Sequence, residues 1–229
     1  GLRFMIDNLC THSSYSRKLM LESSMMYDKN SIEKSYAVMK EFYEVIKNDE
    51  NKNIVQSLQF KLCNLKDINH TISRLATSVV IDDIELYEVK SLALLSADVK
   101  NILEKISLDK IIKIPNLDEV VKILDPDGLR IATFYIYDSY SEELASLRKK
   151  LKEKDVYQEE IYNEVMRIED EIRAELSSKL RPYSEAMTSA LNALADVDIN
   201  IAKSLQMKEL GLCFPTISSD NISTYKGIF

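Results

Sequence analysis

A single charge boundary divides the C-terminal half of this chain and limits how it can fold. Between Arg148 and Lys154 five residues are basic and one is acidic; between Asp155 and Glu175 eight are acidic and two are basic. Both sides carry apolar stripes at helical spacing: Leu144, Leu147 and Leu151 before the boundary, and Tyr157, Ile161, Val165, Ile168, Ile172, Leu176 and Leu180 after it. One continuous helix would leave a bare basic segment. Folding back near Lys154–Val156 lays the basic arm beside the acidic one. Each exposed charge pair stabilises by only ~0–1 kcal/mol, but several together favour that register. The pattern predicts two arms, 141–154 and 157–181, joined as a hairpin. An outgoing arm of about 13 residues projects only ~20 Å.

The remainder of the chain has the same helical period. Four glycines and four prolines in 229 residues leave few places for turns. The predicted class is therefore all-α: a multi-helix core with long lever helices and an arm hairpin. Ile32, Tyr36, Met39, Phe42, Tyr43 and Ile46 follow Asn30 and Glu33, which stand at capping-box spacing. Ile54, Leu58, Leu62 and Leu65 mark a second helix, and Ile68, Ile72 and Leu75 a third. Ile84, Leu86, Val89, Leu92 and Leu95, continuing to Val99 and Leu103, mark a long fourth, with Asp82 or Asp83 placed to cap it.

A short helix is expected over 117–124, then a type I turn with Pro126 second and Gly128 fourth. Ser141 can cap the outgoing arm, with Glu142 and Glu143 at its positive end. Pro182 should kink or break the returning arm, since an internal proline costs a helix ~3 kcal/mol. An apolar helix follows over 186–205, and Gly211 should close it. The exception to helix is a possible short two-stranded β element, Ile111–Ile114 with Ile131–Tyr137, both rich in β-branched or aromatic residues. Three segments result: a helical core domain over 1–140, lever helices over 141–210 that return to the core, and a linker over 211–229.

Charge and motif content narrow the function. A net charge of -7 argues against nucleic-acid binding by the chain as a whole, because such binding rests on Lys and Arg meeting phosphate. Cys10, Cys63 and Cys213 are odd in number and lack CxxC spacing, which fits reduced thiols and a cytoplasmic location. No run approaches the ~18 apolar residues of a membrane span, so no membrane partner is expected. A phosphate-cradling loop needs two glycines five apart, and Gly1, Gly128, Gly211 and Gly227 do not supply them. No catalytic, cofactor-binding or metal residue is therefore assigned, and the chain is not expected to be an enzyme.

Four other candidates read as structural. His12 and His70 are the only histidines. Asp82, Asp83 and Glu85 suit a helix N-terminus. Phe42 within Phe42-Tyr43-Glu44, a base-wedging form, falls on an apolar stripe. Asp196 and Asp198 lie in an apolar run and can accept bonds between helices. The best contact candidate is the basic cluster of Arg148, Lys149, Lys150, Lys152 and Lys154, five cations within about 10 Å of helix. Its alternatives are pairing with Glu159, Glu160 and Glu164 across the hairpin, or a solvated face.

Three blocks resemble the core and lever region of the MutS family of DNA mismatch-repair ATPases, especially its second bacterial branch. The first is Asp67-Ile68 with Arg74-Leu75, followed by the Glu85-Leu86 helix start. The second, Asp138-Ser139-Tyr140-Ser141-Glu142-Glu143-Leu144 through Arg148, is similar to the element opening the outgoing lever helix. The third, Ala190 to Lys203 with Ala193-Leu194-Ala195-Asp196-Val197-Asp198 inside it, is similar to the returning helix. Residues 13–20 fit the family's domain start, and Tyr225 to Phe229 resemble the approach to its ATPase domain. Gly1 in place of Met reads as a piece cut from a longer protein.

The resemblance implies a helical core and lever module of a DNA repair or recombination ATPase. ATP and Mg would belong to an ATPase domain beyond this chain, and no cofactor to the chain itself. Implied partners are DNA, bound weakly in isolation, the parent's own ATPase domain, and a second copy in a full-length homodimer. Two departures accompany it. Only about three residues separate the arms, leaving no room for the family's DNA-embracing clamp, and the ATPase domain lies outside the chain. The rival expectation is a generic helical interaction or scaffold module that binds no DNA.

Overall fold

The computed structural model describes residues 2–131, 133–152 and 158–217, and helix is the only regular secondary structure among them. The N-terminal part holds α1 (Leu2–Asp7), α2 (Ser14–Glu22), α3 (Lys29–Lys47), α4 (Lys52–Leu62) and α5 (Asn69–Ala76). The long α6 (Asp83–Lys105) follows, then the short α7 (Asp118–Leu124). The hairpin arms are α8 (Glu142–Leu151) and α9 (Gln158–Leu180), and α10 (Ser184–Leu210) returns.

Local chemistry sets most boundaries where the sequence placed them. Asp82 and Glu85 form a reciprocal capping box at the start of α6. Ser141 accepts from the Leu144 N–H at 3.2 Å and starts α8. At Pro182 the returning arm breaks into a single 3₁₀ turn, Arg181–Tyr183, because proline has no N–H to continue the ladder. Gly211 closes α10 at φ 63, where a residue with a Cβ is strained. One cap differs from the expectation. Helix α3 starts at Lys29 and is capped by Asp28, whose carboxylate accepts from the Ser31 N–H at 2.8 Å. Asn30 therefore lies inside the first turn.

Helix α10 is the axis of the core. It packs against α2, α3, α4, α5 and α6 and buries Met187, Leu191, Leu194, Val197 and Ile201. Each such side chain contributes about 1.5–3 kcal/mol on leaving water. Phe42, Leu58, Leu62, Leu75, Leu86, Val89 and Leu103 close around it from the neighbouring helices.

The expected two-stranded element does not form among the described residues. The Ile111 and Ile112 N–H groups donate to the Leu108 carbonyl at 3.0 and 3.1 Å, which closes a turn instead of offering a strand edge. On the other side, Ile136 and Tyr137 are buried against helices. Of the residues that raised strand propensity, Ile114, Ile136 and Tyr137 are buried in packing while Ile111, Ile131 and Tyr135 stay exposed without a partner edge, so the weak local preference is not realised.

Candidate functional site

The two arms do fold back on each other. Helix α8 packs along α9 through a seam of Leu144, Val165, Ile168 and Ile172, with Leu147, Leu151 and Ile161 half-buried at its side. The expected reversal at 154–156 lies outside the described residues.

Arg148, in the last turn of α8 with Lys149 and Lys150, reaches back with its guanidinium to the entry of this hairpin. Its Nη1 donates to the Ile136 carbonyl at 2.7 Å and to Asp138 Oδ1 at 2.5 Å. Its Nη2 donates to Glu169 Oε1 at 2.8 Å. The other oxygen of Glu169 lies 3.4 Å from Arg173 Nη2. Arg173 in turn donates to Asp83 Oδ1 at 2.7 Å and to Asp170 at 2.7 Å. A continuous line of alternating charge therefore runs Asp138–Arg148–Glu169–Arg173–Asp83. It joins the 3₁₀ turn Asp138–Tyr140, α8, α9 and the first turn of α6. Burial opposes the Arg148 charge, but the bonds to Glu169 and Asp138 outweigh it and raise its pKa above the usual value. The bond to Asp83 raises that of Arg173 in the same way.

The predicted basic cluster is thereby divided. Arg148 is committed to the root. Lys149, Lys150 and Lys152 are exposed and make no ion pair among the described residues. Lys154 lies outside the described residues. Of the acidic partners considered for them, Glu164 is paired with Arg167 of its own helix at 2.5 Å, and Glu159 and Glu160 are exposed on the first turn of α9. Opposite charge on the two arms thus accompanies the fold-back, while the apolar seam and Arg148 hold it.

The other candidates resolve into local structure. Asp82 caps α6, Asp83 pairs with Arg173 and Glu85 pairs with Arg74 at 2.6 Å. Phe42 is 1% exposed and is a core residue. Asp198 is fully buried and accepts from the His12 N–H at 3.0 Å, the Ser13 N–H at 3.0 Å and His12 Nδ1 at 2.9 Å. Burial pushes its pKa up, but these bonds outweigh burial and leave it below the usual carboxylate value. This carboxylate pins the start of α2 to the core helix α10. Asp196, two residues away, falls on the opposite side of α10 and is exposed. Among the described residues no three His, Cys, Asp or Glu side chains are grouped so as to hold a metal ion. The three cysteines are free thiols, all exposed.

One cluster escaped the sequence reading. Lys90, 1% exposed, donates to Asp125 Oδ1 at 2.9 Å, the Tyr137 hydroxyl at 3.0 Å and the Thr133 carbonyl at 3.3 Å. A signal was present: Lys90 follows Val89 and stands four residues after Leu86 and three before Ala93, all buried, so its register points inward. The partners, up to 47 residues away, gave no such sign.

No protein-family model matches the chain, and no curated protein matches it significantly. No helix among the described residues is long and apolar enough to cross a membrane.

Proposed function

We propose that this chain is the helical core and lever module of a MutS-like DNA repair or recombination ATPase. In this reading the α8–α9 hairpin relays movement between a nucleotide-driven domain and a tip that contacts DNA or a partner. The charge line Asp138–Arg148–Glu169–Arg173–Asp83 is the observation that supports it. It ties both arms to the start of α6, so that displacement of the core shifts the hairpin as a rigid body. Helix α9, 23 residues long, spans roughly 35 Å and leads through one 3₁₀ turn into the core helix. Lys149, Lys150 and Lys152, near the far end of α8, are the contacts this reading assigns to phosphate, with Lys154 beside them in sequence. ATP and Mg act in the ATPase domain of the parent protein, and a homodimer of that parent would set two such levers side by side.

Fluorescence anisotropy with labelled duplex, branched and single-stranded DNA at low salt tests the tip. Weak binding that falls steeply with salt is expected, and Lys149, Lys150 and Lys152 all changed to Glu should abolish it while the helical circular dichroism is kept. Failure of all three DNAs to bind removes DNA from the reading. A second reading, a helical protein-interaction module, then takes its place. It is favoured by Tyr162, 56% exposed, and Met166, 38% exposed, one turn apart on the acidic arm. A phosphate-cradling loop encoded directly downstream of Phe229 would separate the two readings independently of any binding assay.

A further inference from the structure

The link between α7 and α8 is held down in an unusual way. Residues 125–131 and 133–140 run over the outside of the core, buried only at Asp125, Ile136 and Tyr137, with no regular secondary structure except the 3₁₀ turn Asp138–Tyr140. Two side chains on α6 anchor them: Asp98, which accepts from Arg130 Nη2 at 2.9 Å, and the buried amine of Lys90. The three Lys90 bonds described above go to Asp125, Thr133 and Tyr137, all within this crossing. An ammonium has three protons, so the whole donor capacity of Lys90 is spent there. Asp125 is likewise committed. Its second oxygen accepts from the Arg130 N–H at 2.7 Å, and Arg130 is held at φ 51, a left-handed conformation that costs a residue with a Cβ. Further along, the Ile136 carbonyl and the Asp138 carboxylate receive Arg148 of the hairpin root.

We propose that residues 125–131 and 133–140 form a two-state strap, latched onto α6 by Lys90, whose docking fixes the root of the α8–α9 hairpin. The physical reason for two states is the buried charge. With the strap docked, Lys90 and Asp125 satisfy each other. A partly lifted strap would leave a charge in the core without partners, which is strongly unfavourable. The strap therefore docks or releases as a unit. Release hydrates Lys90 and Asp125, relaxes Arg130 and withdraws two of the three acceptors of Arg148. The hairpin then keeps its own Arg148–Glu169 pair but loses its tie to the strap. This device goes beyond the lever reading and does not depend on what the hairpin touches.

Hydrogen exchange of the whole chain, read by mass spectrometry, tests it. In Lys90→Met, peptides from 126–131 and 133–141 are expected to exchange at least tenfold faster, the α8 peptide to quicken with them, and α10 to stay unchanged. Unchanged strap exchange, or equal acceleration in α10, would overturn the proposal. Should Lys90→Met fail to fold, two further measurements decide. Tyr137→Phe, which removes one hydroxyl, should quicken the strap and α8 together and leave α10 unchanged. In the unaltered chain under rising urea, the Gly128 and Arg130 amides should open together while α10 remains protected; opening in step with α10 rules the strap out.

Discussion

Arg148 and Glu169 meet at 2.8 Å, and theirs is the one ion pair joining α8 to α9 among the described residues. Both ends are drawn further into structure, Arg148 by the Ile136 carbonyl and Asp138, and Glu169 by Arg173. The pair therefore ties the hairpin back to its entry, whereas Lys149, Lys150 and Lys152 beside it make no ion pair among the described residues.

Replacing Arg148 with Met should destabilise the chain by about 2 kcal/mol, the scale of charge-assisted bonds lost at a half-buried site. Because Arg148 and Glu169 share one network, the changes Arg148→Met and Glu169→Gln should not add. A double-mutant cycle from urea denaturation is expected to give a coupling of about 0.5–3 kcal/mol. Simple additivity would mean that the pair does not organise the root.

The lysines behave oppositely. Changing Lys149, Lys150 and Lys152 to Glu should alter folding stability by less than ~1 kcal/mol, since exposed charges without partners contribute little. Thermal melting followed by circular dichroism measures this. A larger loss would show that these lysines brace the acidic arm after all.

Asp198→Asn removes the charge that holds three donors from His12 and Ser13. A loss of about 3 kcal/mol at neutral pH is expected, as when a buried charged acceptor of several hydrogen bonds is removed. The folded pKa of Asp198 lies below its ordinary 3.8. Its contribution is thus complete above 3.8 and fades as pH falls toward the lower folded value. The gap in melting temperature between the native chain and Asp198→Asn should be full at pH 6 and shrink below about pH 4. A gap that persists unchanged at pH 2.5 would assign the effect to packing.

Gly211→Ala should cost about 1 kcal/mol through backbone conformation alone. The glycine sits at φ 63, and an added Cβ would meet no atom within 4 Å. Gly211→Asn, which tolerates the left-handed region better, should cost less in the same denaturation experiment.

Helix-forming stretches were legible because their signals are local. The stripe from Ile84 to Leu103 became α6, Asp82 capped it, Pro182 ended α9 and Gly211 ended α10. Helix α3 begins one residue before Asn30, because the Asp28 carboxylate accepts from the Ser31 N–H and supplies the cap. Strand propensity at Ile131–Tyr137 misled for a different reason. A strand needs a partner edge, and only the packed structure shows that Ile111 and Ile112 are turned back onto Leu108. For the candidate site, the sequence marked the basic cluster but gave Arg148 the same standing as its neighbours.

Periodicity, capping residues and helix breakers thus determined by themselves that this chain is helical and where most helices lie, because those choices rest on interactions within a few residues. The charge boundary between Lys154 and Asp155 marked the reversal of the arms. Which charges are spent and which remain available was decided by tertiary structure alone. Arg148 with Glu169, Lys90 with Asp125, and Asp198 with His12 are separated by 21, 35 and 186 residues. Whether a charge is satisfied depends on which distant group shares its low-dielectric surroundings, and no local pattern in the chain encodes that meeting.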